Sequence, residues 1–139
     1  MTVPESPPPG IGPHEDRELE LMLAGTKPLA MFSEPVGSPY EFPETDFAPH
    51  VADGTFVRRE VIYQPEGPGL PSRCVYFALA KEEWRIEAMH RINERLFVRG
   101  EATSPDTERQ IGRLLGYAEA DIEQFIGRFE SFRRLQPKP

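Results

Sequence analysis
The stretch that most constrains this chain is Arg73 to Arg99, RCVYFALAKEEWRIEAMHRINERLFVR, where a strand pattern runs straight into a helix pattern. From Arg73 to Ala80 the residues alternate, with Val75, Phe77 and Leu79 on one side and Cys74, Tyr76, Ala78 and Ala80 on the other. Both sides are largely apolar, so this strand needs cover on both faces and belongs at the centre of a sheet. From Lys81 the period lengthens: Trp84, Ala88, Ile92 and Leu96 recur every four residues, and Met89 and Phe97 widen the stripe. This spacing predicts a helix of about four to five turns with the only tryptophan in the core. Its outer face offers Glu83, Glu87, Arg91 and Arg95, with Glu87 and Arg91 forming a solvated pair worth about a few tenths of a kcal/mol.

Two further strands are expected beside this nucleus. Thr55 to Tyr63 (TFVRREVIY) sets Phe56, Arg58, Glu60 and Ile62 against Val57, Arg59, Val61 and Tyr63, and the second set faces the core. Lys27 to Ser33 (KPLAMFS) is a short apolar run with a proline near its start, suited to an edge. QPEGPGLPS, from Gln64 to Ser72, joins the last two strands as a long hairpin loop. Strands near 27–33, 55–63 and 73–80 make a small antiparallel sheet.

Helices supply the cover. His14 to Ala24 carries Leu19, Met22 and Leu23 at helical spacing, has acids in its first turn and stops at Gly25. Ser104-Pro105 is an N-cap followed by proline at the first helical position; Ile111, Leu114 and Leu115 form the apolar face, and Gly116 ends it. Asp121 to Leu135 repeats the pattern with Ile122, Phe125, Ile126 and Phe129, so 104–135 reads as a helical hairpin. The expected fold class is α+β: a three-stranded antiparallel sheet covered by an N-terminal helix, a long central helix and a C-terminal helical hairpin. One domain spans 14–135, because 139 residues suffice for one core. Residues 1–13, MTVPESPPPGIGP, read as a disordered Pro-rich tail, and 136–139 as a frayed end.

Glu34 to Gly54 breaks the regularity, with Pro35, Pro39, Pro43 and Pro49 interspersed among Tyr40, Phe42 and Phe47 and among Glu41, Glu44 and Asp46. The spacing suggests a long Pro-rich loop over 34–54, and loops of that length in compact domains are usually lids or binding segments. Tyr40, Phe42, Glu44, Asp46 and Phe47 are the candidate partner-binding residues, since aromatics among carboxylates suit an anchor-and-rim interface.

Charge narrows the partner. Sixteen Lys plus Arg against 23 Asp plus Glu leave a formal charge of −7, which opposes a nucleic-acid backbone or an anionic membrane surface and favours a basic protein or a cationic ligand. The helical hairpin resembles a DNA-reading helix-turn-helix in outline, but Glu119, Asp121 and Glu123 at the start of its second helix would meet phosphates with the wrong sign. Cys74 is the only cysteine, so no internal disulfide is possible, and with neither a signal peptide nor a long apolar run the expected compartment is the cytoplasm.

No nucleophile elbow, phosphate loop or dinucleotide fingerprint is present. Glu87 and His90 stand at the i, i+3 spacing of a di-iron ligand pair, but the second such pair is absent and His14 and His50 have no ligand spacing; neither metal nor cofactor is expected. The acid–base candidates are His90 as base, Glu87 and Glu60 as carboxylates and Arg58 as anion clamp, in a pocket between the sheet and loop 34–54. The leading expectation is a small acidic protein acting by protein–protein binding, as an adaptor, an inhibitor or an immunity-type factor does. The alternative is a small cofactor-independent enzyme with isomerase- or lyase-like chemistry.

Overall fold
The computed structural model describes residues 16–135, apart from the side chains of 129 and 131–135. The tail 1–13, His14 and the end 136–139 lie outside the described residues. In chain order the elements are α1 (Glu18–Leu23), β1 (Leu29–Pro35), α2 (Glu44–Ala52), β2 (Phe56–Tyr63) and β3 (Ser72–Leu79), then α3 (Trp84–Asn93), α4 (Pro105–Leu114) and α5 (Glu119–Leu135). The strands form one antiparallel sheet in the order β1-β3-β2, so the fold is α+β with the doubly apolar strand in the middle.

β3 is buried on both sides because each face has its own core. Cys74, Tyr76 and Ala78 face Ile86, Met89 and Ile92 of α3, with Leu29, Tyr63 and Leu114 completing that layer. Val75 and Phe77 face the other way, onto Met22 of α1, Phe47 of α2, Ala30 and Phe56. Strand alternation divides β2 in the same manner: Val57, Val61 and Tyr63 pack toward α3, and Phe56 joins the α1/α2 layer.

α4 begins where the Ser-Pro signal put it. The Ser104 hydroxyl accepts from the Thr107 backbone N–H at 3.1 Å, and Pro105 occupies the first turn. Two distant cations close its other end: Arg85 donates to the carbonyls of Arg113 and Leu114 at 3.0 and 3.2 Å, and Lys27 Nζ donates to Leu115 O at 2.7 Å. Positive groups on orphan carbonyls suit a helix C-terminus. Two acids of α5 are paired within the hairpin, Glu123 with Arg109 at 2.9 Å and Glu119 with Arg113 at 2.8 Å.

Three expectations need correction. Trp84 is not a core residue: it is 57% exposed and lies against the Arg85 guanidinium, 4.7 Å from ring to Cζ. The buried stripe is Ile86, Met89, Ile92 and Asn93, because the chain leaves β3 through a 3-10 turn at Ala80–Glu82 and α3 starts only at Trp84. The long central helix is therefore composite, a ten-residue α-helix followed by a π-helical turn at Glu94–Val98. Finally, the segment read as a loop at 34–54 contains α2. Glu44 and Asp46 occupy its first turn, where the helix dipole favours them, and Phe47 and Val51 on one face pack on the sheet. No described helix is long and apolar enough to cross a membrane.

Candidate binding groove
An open groove of about 870 Å³ runs along β1, between α1 on one side and residues 40–43 with the start of α2 on the other. Its wall is built by tight local turns. Ser38 N–H returns to Pro35 O at 3.0 Å, Gly37 takes a positive φ of 90°, and Val36 N–H is tied to Pro71 O at 2.9 Å. These bonds swing the chain back over the sheet and deliver Tyr40 and Phe42 to the groove.

The rings then form a continuous file from solvent to core. Tyr40, 56% exposed, meets Phe42 edge-on at 5.7 Å. Phe42 lies 5.8 Å from Phe32, Phe32 lies 5.7 Å from Phe47, and Phe47 stacks on Phe77 at 4.3 Å. Each edge-to-face or stacked step adds about 0.5–1.5 kcal/mol beyond its burial. The wet end of this file is thus held by packing that continues into the sheet.

Of the five expected partner-binding residues, Tyr40, Phe42, Asp46 and Phe47 line the groove. Phe47 is only 1% exposed and belongs to the core, so it forms floor rather than contact surface. Glu44 does not line the groove. It bonds Arg58 at 2.8 Å and Arg73 at 2.9 Å, while Arg73 also reaches Glu60 at 2.7 Å and stands 5.2 Å from the Phe42 ring. Partial burial works to raise the Glu44 carboxyl, but the two guanidiniums outweigh it and hold it below the usual range. Glu44 therefore positions Arg73, which backs Phe42.

The expected acid–base set is divided by the sheet. Arg58 and Glu60 join Glu44 and Arg73 on the α2 side, whereas Glu87 bonds Arg59 at 2.8 Å and His90 bonds Tyr63 on the α3 side. Among the described residues, His90 and Glu87 thus lie across the sheet from Glu60 and Arg58. The Arg59 guanidinium holds the Glu87 carboxyl below the usual range, as a surface ion pair does.

Two features escaped the sequence reading. The first is a buried polar chain beneath α3: Tyr63 and Tyr76 share a short hydroxyl contact, Asn93 Nδ2 donates to Tyr76 Oη at 2.7 Å, and the Tyr63 hydroxyl meets His90 Nδ1 at 2.8 Å. Burial pushes the Tyr76 phenol up to about 12 and that of Tyr63 higher still. Two tyrosines at inward strand positions and an asparagine on the apolar stripe of α3 were the available signal, since buried polar groups need partners. The second is Lys27, which lines the groove at 2% exposure and whose ammonium burial lowers to about 8 against the opposing charge of Glu18.

The groove carries five carboxylates among its described lining, Asp16, Glu18, Glu20, Glu34 and Asp46, and Lys27 as its sole cation. That arrangement can draw in and orient a positively charged chain. No group of three or more His, Cys, Asp or Glu side chains among the described residues is placed to hold a metal ion. Comparison with protein-family models, with curated proteins and with solved structures gives no match.

Proposed function
We propose that this protein acts by binding another protein through the β1 groove, in the manner of an adaptor, an inhibitor or an immunity-type factor. The observation that carries the reading is the file of rings from the exposed Tyr40 through Phe42 to the buried Phe47, set in a groove whose described lining has five carboxylates against the buried Lys27. Rigid aromatics anchor an interface at small entropic cost, and a carboxylate rim selects a basic partner and speeds its approach. The formal charge of −7 works in the same direction over the whole surface. A single, fully buried cysteine suits a reducing compartment, and the proposal places the protein in the cytoplasm.

The enzyme alternative draws less support, because its four residues stand on two faces of the sheet and are engaged in pairs there. The deciding experiment is affinity capture of the tagged protein from its native cells, with mass spectrometry of what co-elutes, comparing wild type with Tyr40→Ala/Phe42→Ala. The expected result is a stoichiometric protein partner that the double variant loses. Elution alone, with a small molecule, or with a partner the variant retains would overturn the reading.

A further inference from the structure
We infer that the groove takes its partner as an added β-strand, an extended segment alternating basic and apolar residues that pairs with the outer edge of β1; this rests on the binding reading above. Among the described strands β1 is paired on one side alone, by β3. The register fixes which of its backbone groups are spent. Leu79 N–H donates to Pro28 O at 3.0 Å and Val36 N–H to Pro71 O at 2.9 Å, so with Leu29 opposite Ala78 the even-numbered residues Ala30, Phe32 and Glu34 bond β3. The odd-numbered residues turn their N–H and C=O groups outward; Leu29 is fully buried, and Met31 and Ser33 line the groove. Pro35, with no N–H, ends the edge. A guest strand thus meets a short, defined ladder.

The two faces of the sheet beside β1 specify the guest's side chains. A strand added to β1 projects alternate residues to the two faces of the sheet. On the α2 side they meet Phe32, Glu34, Phe42 and Asp46, a ring-and-carboxylate surface that suits lysine or arginine. On the other side they meet Met31, Leu115 and Tyr117, which suit apolar residues. The chain's own first fifteen residues match this poorly, having Pro4, Pro7, Pro8, Pro9 and Pro13 without N–H groups, no Lys or Arg, and acids at Glu5 and Glu15.

The test pans a random nonapeptide display library against the full chain and then synthesises the selected peptides with single backbone N-methyl groups. Lysine or arginine should be enriched at every second position. N-methylation should weaken binding by about tenfold or more at one alternating set of positions and be tolerated at the other, as loss of a ladder bond on one side requires. Amides of Met31 and Ser33 should gain protection from hydrogen exchange in the complex, and Glu34→Gln/Asp46→Asn should weaken binding while removal of residues 1–13 leaves it unchanged. Peptides that depend on Tyr40 and Phe42 but tolerate N-methylation everywhere would overturn strand addition and leave the binding groove standing. Peptides with no basic preference would overturn the proposed partner chemistry. Peptides indifferent to Tyr40→Ala/Phe42→Ala would overturn the groove reading itself. Tighter binding after removal of residues 1–13 would assign the edge to the chain's own tail, and a dimer dissociated by the peptide would assign it to a second copy; either overturns the inference.

Discussion

The Lys27 ammonium, carried by the turn before β1, donates to the carbonyl of Leu115, the residue that closes α4, at 2.7 Å and across 88 residues of sequence. One lysine thus joins the first edge of the sheet to the C-terminal hairpin. The same ammonium stands 5.0 Å from the Tyr117 ring. Its burial has a cost that pH reveals.

Burial lowers Lys27 from 10.5 to about 8. Between those values the unfolded chain holds the proton that the folded chain has released, so stability rises with pH there, by up to about 1.4 kcal/mol per pH unit for one whole proton. Below about 8 both states are protonated and the full desolvation penalty stands. Cys74, Tyr63 and Tyr76, all pushed up by burial, act in the opposite sense once their unfolded counterparts ionise, near 9 for the thiol and 10 for the phenols. The informative quantity is therefore the difference between wild type and Lys27→Met in denaturant midpoint at pH 7, 8, 9 and 10. Wild type should gain on the variant as pH rises; parallel profiles would show that Lys27 is as well solvated as an unfolded lysine.

Trp84→Ala should change stability by less than about 1 kcal/mol, since the indole is 57% exposed and its recorded ring partner is the Arg85 guanidinium. Ile86→Ala, two residues on and fully buried, should cost about 2–5 kcal/mol. Chemical denaturation of the two variants ranks them directly, and a larger loss at Trp84 would reverse the orientation of α3.

The contrast between these two residues shows where sequence reading succeeds here. Strand patterns were legible because period-two alternation in β3 and β2 is decided by the sheet's two faces, which all their residues share. The Ser-Pro start of α4 was legible because capping is a local bond. The start of α3 was not: Ala88, Met89, Ile92, Leu96 and Phe97 of the expected stripe do pack on the core, but Ile86 takes the place expected for Trp84, and that depends on a 3-10 turn that the sequence does not announce. α2 was hidden by Pro49 inside it, which argues locally against a helix, while Phe47 on its inner face stacks on Phe77. Tyr40, Phe42 and Asp46 were legible as surface candidates by composition, but Lys27 joined them only through contacts distant in sequence.

Tyr76→Phe tests the buried chain beneath α3. The lost hydroxyl leaves the Asn93 amide with the Met31 sulfur at 3.1 Å and the Tyr63 hydroxyl with His90 Nδ1 at 2.8 Å, so the variant should lose about 1–3 kcal/mol. Adding Asn93→Leu removes the stranded donor as well, and the double variant should be more stable than the sum of the single losses implies. Strict additivity in a double-mutant cycle would show that the groups act independently.

Gly116 combines two demands that a matched control separates. Its φ of 84° lies where a side chain is strained, by about 1–2 kcal/mol. A Cβ there would also overlap Pro28 Cδ and come within 3.2 Å of its Cγ. The pyrrolidine ring cannot swing aside, because Pro28 sits between buried Lys27 and Leu29 and its carbonyl is held by Leu79 N–H. Gly25 has nearly the same φ, 79°, with nothing within 4 Å of the added atom. Gly25→Ala should therefore show the conformational penalty alone, and Gly116→Ala that penalty plus about 1–3 kcal/mol of overpacking. Thermal unfolding of the two variants measures the difference, and equal losses would mean that the α4 terminus does not close onto the start of β1.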